Sequence, residues 1–565
     1  MGGNLLIKGG QIIDGTGAPQ IKADVRIKNG VIVEIGPDLS AGEEDIYDAD
    51  GAFVSPGFID SHTHTDATVF WNPALDPEPL HGVTTVLVGN CGLTLYPYNG
   101  DDKSRTDLCN LFSYLEDIPR DLFDSLPWTW TEYEGYRDAV NRQGSGANIA
   151  ALVGHAPIRM AVMGEDAWIR QSTQNERIEM ANLLDRSMRA GAFGMSVSFF
   201  DADEDGRPIP SRVTDLSEFD LLVDVVGRYQ NGVVEFLFGS IHPNPEIPFE
   251  YLAQKCAEKS VPLMFNGFVD DQARPEYVAG LLELVHRLNQ EGASVYPLLS
   301  PRSIDLRVNW NKSIMFMSMP HSWHQLIKAS ESDKRSLLID PEWRALARKE
   351  WDPVKFEPLF PRHRPELVRF VDVVGEENKK WIGKTLHDLI SSHEGHPSDI
   401  FADFVLANDC RPGVTVIGVQ NGDANRLAEL MKDPSVLISS SDAGAHVQML
   451  CASGDTTLFL TRHVRDRKDF SIESAIHQLT VKQAMVLGIQ NRGKIALGQI
   501  GDIVVFAIDE LHYDDDVFAN DLPGGNVRLR RPEGGYRATF VNGVAVQTNG
   551  KLTGALPGGV IACNN

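Results

Sequence analysis

The chain has 565 residues, more than one hydrophobic core usually holds, so a large domain with at least one smaller companion is expected. Acidic residues outnumber basic ones by 78 to 52, a formal charge of −26 with no Lys/Arg-rich run, which makes nucleic acid and anionic membranes poor partners. Six cysteines at 91, 109, 256, 410, 451 and 563, with no Cys-x-x-Cys, exclude a disulfide framework and a zinc ribbon; with no membrane-length apolar run, signal peptide or myristoylation pattern, the expected location is cytoplasmic.

Residues 3 to about 50 alternate short strands with turns: Leu5 to Gly9, Gln11 to Asp14, Ala23 to Lys28, and Val31 to Ile35 after the turn Asn29-Gly30. From about 53 the texture changes to apolar runs separated by helical stretches, the pattern of a parallel sheet with crossover helices. The strands expected there are 53 to 60, 84 to 90, 148 to 154, 192 to 198, 233 to 239, 261 to 267, 294 to 300 and 436 to 441. Eight strands predict an α/β fold, a (β/α)8 TIM-like barrel. The spacing fails between about 301 and 430, where a polar section dotted with Trp and Pro reads as an insertion over the barrel mouth. Within it, Pro341 to Trp351 is a predicted helix that Asp340 can cap, with Pro341 at the first helical position. Strand texture returns at Lys494 to Phe506 and Ala538 to Val546, so the two ends of the chain, 1–52 and 490–565, are expected to build one small β-sandwich domain beside a barrel spanning 53–489. The Gly/Pro-rich stretches at 523 to 535 and 555 to 559 read as loops.

The first barrel strand ends in Asp60-Ser61-His62-Thr63-His64. Side chains alternate along a strand, so His62 and His64 point the same way, as two ligands of one metal ion must. With 16 histidines such a pair arises by chance roughly every second time, and its position at a strand's carboxyl end, the catalytic face of a barrel, is what gives it weight. The last strand repeats the grammar: Val436 to Ser441, then Asp442-Ala443-Gly444-Ala445-His446. Cys91, after the second strand, reads either as a small buried hydrophobe or as a thiolate on a metal. His155 closes the third strand as ligand, donor or satisfied core histidine. His393-Glu394-Gly395-His396 has the wrong spacing for a His-Glu-x-x-His site, His321 and His324 read as loop residues of the insertion, and no Gly-x-Ser-x-Gly supports a serine hydrolase. Trp323, Trp343, Trp351 and Met315 to Met319 either wall an apolar pocket or pack a core.

Taken together, Leu5 to Gly10 with Asp14-Gly15-Thr16-Gly17, Pro56 to His64, Gly82-Val83-Thr84-Thr85 leading to Gly89-Asn90-Cys91-Gly92, Gly154-His155 followed by Val162-Met163-Gly164, Val295-Tyr296-Pro297, Ser441 to His446, and Gly493-Lys494-Ile495 through Asp502-Ile503 resemble the amidohydrolase superfamily, and within it the N-acyl-D-amino-acid deacylases, or D-aminoacylases. The resemblance implies a barrel carrying a β sandwich made by both termini, and hydrolysis of an amide-type C–N bond by metal-activated water. It makes His62 and His64 metal ligands, Cys91 a ligand or bridging thiolate, and Asp442 both ligand and proton shuttle. His155 or Tyr296 would stabilise the oxyanion, Arg302 would supply a guanidinium near the mouth, and His446 would orient Asp442.

The group usually takes two more histidine ligands from strands five and six, but those strands read Val233-Val234-Glu235-Phe236-Leu237-Phe238 and Pro262-Leu263-Met264-Phe265-Asn266-Gly267. His242 in the following loop either reaches back or is a surface residue, and the amide of Asn266 is a poor zinc ligand. One zinc, or another divalent metal in its place, is therefore expected rather than two. The basic residue of the group's carboxylate clamp is also missing past strand six, which leaves the D-amino-acid headgroup open. The expected partner is a small-molecule amide. Hydrolysis of aryl or cyclic amides, deamination, or a silent scaffold are the alternatives, and self-association is left open.

Overall fold

The structure, a computed structural model, describes residues 3–238, 248–311, 321–353 and 360–563. His242 and Met315 to Met319 lie outside the described residues.

A parallel barrel dominates the chain. Its strands are Phe58–Asp60, Val83–Val88, Asn148–Ala151 continued by Val153–Gly154, Gly194–Ser198, Val233–Leu237, Leu263–Asn266 and Val295–Pro297, all paired in parallel with their neighbours. The eighth position is filled by 436–441, which lacks regular strand geometry yet closes the ring. Leu437 N–H donates to the Pro297 carbonyl and Leu299 N–H to the Leu437 carbonyl, both at 2.9 Å, while Ser61 N–H donates to the Ser439 carbonyl at 2.8 Å. Residues on the strands or directly bordering them, including Ile59, Leu87, Leu152, Phe193, Val233, Met264, Leu298 and Leu437, pack into one buried apolar cluster. The lumen is thus a packed core, and polar chemistry is confined to the layer above it, at the strands' carboxyl ends.

The expected strand 53 to 60 is two strands in two sheets. Phe53–Pro56 pairs antiparallel with Ile503–Phe506 in the small β domain, and Phe58–Asp60 opens the barrel. The break falls at Gly57, where a Cβ would overlap the Thr84 side chain, so only glycine lets the chain cross from one sheet to the other at this point. The small domain is a single nine-stranded sheet rather than two separate ones. It forks at Leu5–Ile12: residues 5–8 pair with Asp45–Asp48 and residues 11–12 with Phe53–Val54. The fork lets one arm fold over the other, with Tyr47 edge-on to Phe540 at 5.3 Å between ring centroids.

The insertion has its own core. Ile304–Arg307, Gly413–Gln420 and Val368–Asp372 form an antiparallel sheet. Trp323, Trp343, Trp351 and Phe401 pack against one another within 5.1–6.2 Å. The three tryptophans are therefore packing residues. The helix Pro341–Trp351 forms as expected, its N-terminal amides of Glu342 and Trp343 donating to the Asp340 carboxylate. His324 lies in a helix, His321–Lys328, and not in a loop. The loop expected at 523 to 535 also contains a strand: between the sheet strands Ile503–Phe506 and Ala538–Val541 the chain leaves the small domain, and Val517–Ala519 pairs with Arg528–Arg530. This hairpin reaches the barrel, where Leu529 N–H donates to the Val447 carbonyl at 2.7 Å.

Candidate metal centre

Three candidate donors group at the mouth of the barrel, and a fourth, Asp442, approaches the two imidazoles among them. The ligand atoms of His62, His64 and Cys91 lie within 4.8 Å of one another. Asp442 Oδ1 stands 3.6 Å from His62 Nε2 and 3.3 Å from His64 Nε2, and Cys91 Sγ stands 3.4 Å from His62 Nε2. A tetrahedral zinc with bonds of about 2.0–2.3 Å separates its ligands by about 3.3–3.6 Å, so these separations are those of a first coordination sphere.

The backbone holds the donors from both ends of the barrel sequence. The Asp60 carboxylate accepts the N–H of His62 and of Ser441, each at 3.2 Å, and Asp442 N–H donates to the His62 carbonyl at 2.9 Å. Cys91 and Asp442 both adopt left-handed backbone conformations, with φ of 55° and 68°. Such a conformation costs a non-glycine residue about 1–3 kcal/mol, and it persists because the surroundings enforce it. At Cys91 the enforcing group is Glu235, whose Oε2 accepts the Cys91 N–H at 2.8 Å. Gly444, at φ +89°, brings the following turn against the first strand; a Cβ there would lie 2.8 Å from the His64 carbonyl carbon and oxygen.

Each imidazole presents Nε2 to the cluster and turns Nδ1 to an acid. Glu235 Oε1 lies 3.7 Å from His62 Nδ1, and Glu116 Oε1 lies 3.3 Å from His64 Nδ1. Carboxylates behind ligating histidines fix ring orientation in metal sites. Among the described residues, neither Nδ1, nor Glu235 Oε1, has a hydrogen-bond partner.

The electrostatics call for a cation. Burial pushes Glu235 and Glu116 up to about 8, in the latter case despite His64, and lifts Asp66 and Asp201 to about 6. Burial, reinforced by the charge on His64, drives His62 down to about 3, so it is neutral, as a ligand must be. Burial opposes charge on His64 too, but Glu116 and Asp442 outweigh it and raise that ring to about 10, so the proton it holds without an ion is the one an ion bound at Nε2 would displace. Burial likewise works against the Asp442 carboxylate, yet His64 and His62 hold it ionised. The Cys91 thiol is pushed well up by burial and by Glu235 and Glu116. A buried shell of acids with so few cations is balanced by a divalent ion, which also deprotonates a coordinating thiol. The residues present fit such an ion.

The other sequence-derived candidates fall in different places. His446 has a left-handed backbone (φ 50°), donates its N–H to the Glu116 carbonyl, and acts on the charge of Asp442. Tyr296 pairs in register with Met264 and packs on the lumenal layer, half-buried. Arg302 is buried, with Nη2 donating to the Ser441 carbonyl at 2.9 Å and Nε 3.1 Å from Asp455 Oδ1, so it braces the turn before Asp442 and its charge is already matched. The structure does not bring His155 to the donors as a free group. Its nitrogens are spent on Ser211 Oγ (3.0 Å) and Glu218 Oε1 (2.9 Å), in a buried network with Arg159 and Ser172. Asn266 ends the sixth strand with Nδ2 3.4 Å from His62 Nε2. Sequence reasoning missed Glu235 and Glu116. The signal for Glu235 was present, a lone acid inside the apolar run Val233–Leu237; Glu116, just past the helix Asp102–Leu115, gave none.

A family model described as "Amidohydrolase family" matches residues 45–214 and 408–547. The chain is similar along its length to an uncharacterized protein of Mycobacterium tuberculosis, 29% identical and covering 98% of this chain and 93% of the relative. It is 27% identical to the N-acyl-D-glutamate deacylase of Alcaligenes xylosoxydans xylosoxydans, over 90% of this chain and 88% of that one. The crystal structure of the N-acyl-D-glutamate deacylase of Bordetella bronchiseptica, complexed with zinc and a phosphonate mimic of the reaction's tetrahedral intermediate, shares the fold with a TM-score of 0.66 at 22% identity, over 100% of both chains. With more than half of its residues matched, in two segments that carry all four donors, the chain belongs to the amidohydrolase family.

Proposed function

We propose that this protein hydrolyses the amide C–N bond of an N-acyl compound, with one divalent ion, zinc in the first instance, held by His62, His64, Asp442 and Cys91 with a fifth position left for water. A metal ion bound there polarises a carbonyl oxygen and lowers the pKa of water toward neutrality. The observation that carries the reading is the convergence of two imidazoles from the first barrel strand and a carboxylate from the last at 3.3 and 3.6 Å. Asp442 is the one donor whose side chain keeps substantial exposure, 30%, so it can reach both the attacking water and the departing nitrogen. Its carboxylate takes a proton from water and delivers it to the leaving nitrogen, giving a carboxylate and an amine.

One ion is favoured over two because strand six ends in an amide and the acid of strand five sits behind His62, 3.7 Å from its Nδ1. An N-acyl-amino-acid substrate is supported by the deacylase relative matched over 90% of the chain. A cytoplasmic location is supported by six free cysteines, all buried and none in a disulfide; among the described residues no helix is long and apolar enough to cross a membrane.

The test uses zinc-loaded protein and a panel of N-acyl amino acids of both hands, with aryl and cyclic amides alongside. The wild type is expected to turn over members of the N-acyl set, and Asp442→Asn to keep the fold and lose about 10²–10⁴-fold in kcat. An Asp442→Asn variant with undiminished turnover refutes the assignment.

A further inference from the structure

Strand six departs from the rest of the site in offering an amide, and the hydrogen bonds fix which way that amide faces. Asn266 and Met264 are two residues apart on one strand and so share a side; Met264 is in the lumenal layer, which places Asn266 directly above it at the mouth. Asn266 Oδ1 accepts the backbone N–H of Gly267 at 2.8 Å. A backbone N–H requires an acceptor, so the oxygen is pinned to Gly267 and the NH2 group is turned to the donors. Among the described residues its one hydrogen-bond contact is His62 Nε2, at 3.4 Å. That nitrogen is the one His62 presents to the cluster, and Asn266 is half-buried. An amide NH2 has no lone pair to give a cation, but it is a neutral hydrogen-bond donor bordering the point on which both imidazoles converge.

Resting on the hydrolytic reading, we propose that Asn266 is a catalytic residue, donating a hydrogen bond through Nδ2 to the oxyanion formed on the substrate's carbonyl. When water adds to the carbonyl carbon, the C=O π pair moves onto oxygen and Asp442 receives the water's proton. Asn266 stabilises the charged oxygen at this stage. The pair then returns to reform C=O as the C–N bond breaks, and the Asp442 proton goes to the nitrogen. A donor placed before the reaction, in a water-poor site, stabilises the charge as it develops without reorganising.

The experiment compares zinc-loaded wild type, Asn266→Ala and Asn266→Asp. Four quantities are measured: kcat and KM for the best amide of the panel, zinc per chain, and the inhibition constant of a phosphonate in which a tetrahedral phosphorus replaces the scissile carbonyl. The alanine variant is expected to lose about 10²–10³-fold in kcat and a similar factor in phosphonate affinity, with KM and zinc content unchanged. Asn266→Asp keeps the size and the acceptor for Gly267, removes the donor and adds a negative charge, so its phosphonate affinity is read together with its zinc content. It is expected to lose at least as much, and it reports on the donor even where alanine disturbs the turn. Loss of zinc in step with kcat would make Asn266 part of the ion's binding set and overturn the proposal. Full phosphonate affinity in both variants would overturn it as well. A wild type inactive on every amide refutes the hydrolytic reading itself, and is told apart because it appears before any variant is made.

Discussion

Removing Glu235 tests whether the acid of strand five organises the metal centre. The carboxylate does two things that can be separated. Through Oε2 it accepts the Cys91 N–H at 2.8 Å, and through Oε1 it faces His62 Nδ1 at 3.7 Å. Glu235→Ala leaves a buried N–H without an acceptor, a penalty of about 1–3 kcal/mol. It also frees Cys91 from a left-handed conformation worth about 1–3 kcal/mol of strain, which lets the thiol swing away from the cluster. Glu235→Gln keeps an oxygen for Cys91 but cannot ionise behind His62 when an ion binds. Loss of a carboxylate behind a ligating histidine typically lowers metal affinity about 10–100-fold, which is about 1.4–2.8 kcal/mol. The expected order of zinc affinity in the ion-free protein, read by competition with a chromophoric chelator, is wild type, then Glu235→Gln, then Glu235→Ala. The cobalt-substituted proteins give a second readout, the sulfur-to-cobalt charge-transfer band, expected to survive in the glutamine variant and to weaken in the alanine one. Wild-type affinity and an unchanged band in Glu235→Ala would refute the reasoning.

Four further outcomes follow from the geometry. Cys91→Ser is expected to abolish the sulfur-to-cobalt band and to lower zinc affinity about tenfold or more, because a neutral hydroxyl is a harder and weaker ligand than a thiolate; the same chelator titration checks it. Gly444→Ala forces a Cβ to within 2.8 Å of the His64 backbone at φ +89°, with about 1–2 kcal/mol of conformational strain besides the clash, and is expected to lower both melting temperature and zinc content. Glu218, held well below the usual carboxylate range, burial being outweighed by His155 and Arg159, adds stability that is present above its unfolded pKa of about 4.3 and is lost as the pH falls through that value toward the folded one. Glu218→Gln should therefore flatten the acid limb of a stability–pH profile measured by denaturant titration and cost about 3–5 kcal/mol at neutral pH, since it strands the Arg159 charge. Asp340→Ala removes the cap of Pro341–Trp351 and is expected to cost about 1 kcal/mol, seen as faster amide exchange in 341–351 with zinc affinity intact.

The parts of this protein that were legible in its sequence are those written as local periodicity. Apolar runs bounded by turn residues marked the barrel strands, and Asp340-Pro341 marked a helix start, because both signals act over a few residues. The closing strand was legible for the same reason, although 436–441 joins the ring through single hydrogen bonds and not through a regular ladder. The break at Gly57 was not. An unbroken strand from 53 to 60 and two strands in different sheets look alike until Thr84 is seen to occupy the space of a Cβ. The same limit applied to the site. His62 and His64 were visible as neighbours along one strand, and Asp442 as an acid at the end of another. Glu116 approaches from beyond the end of a helix, and nothing local in its sequence indicates that its carboxylate lies behind His64. His155 shows the converse: a histidine at a strand end satisfies every local criterion for a functional residue, and its partners Ser211 and Glu218, more than fifty residues away, reveal a buried polar network.

The acid of strand five and the amide of strand six are better understood as a redistribution of charge than as a loss of ligands. The cluster offers two imidazoles, a carboxylate and a thiol, and one dication with a thiolate and a carboxylate is neutral, so a single ion is electrically complete without any further donor. A second ion on neutral histidines would bring two more positive charges into a fully buried layer. Here the position of one such donor is held by Asn266, which carries no charge and donates rather than accepts toward His62. Glu235, whose carboxyl burial pushes up to about 8, faces the rear of His62, where an ion on that ring would favour its ionised form. The prediction that separates this arrangement from a two-ion site is stoichiometric. Titration of the ion-free protein with zinc should saturate at one equivalent per chain, in the wild type and in Asn266→His alike, because a neutral imidazole adds a donor but no negative charge. Binding of a second equivalent to the wild type with comparable affinity would show that charge balance does not limit the site, and the account of Glu235 and Asn266 as its one-ion adaptation would fail with it.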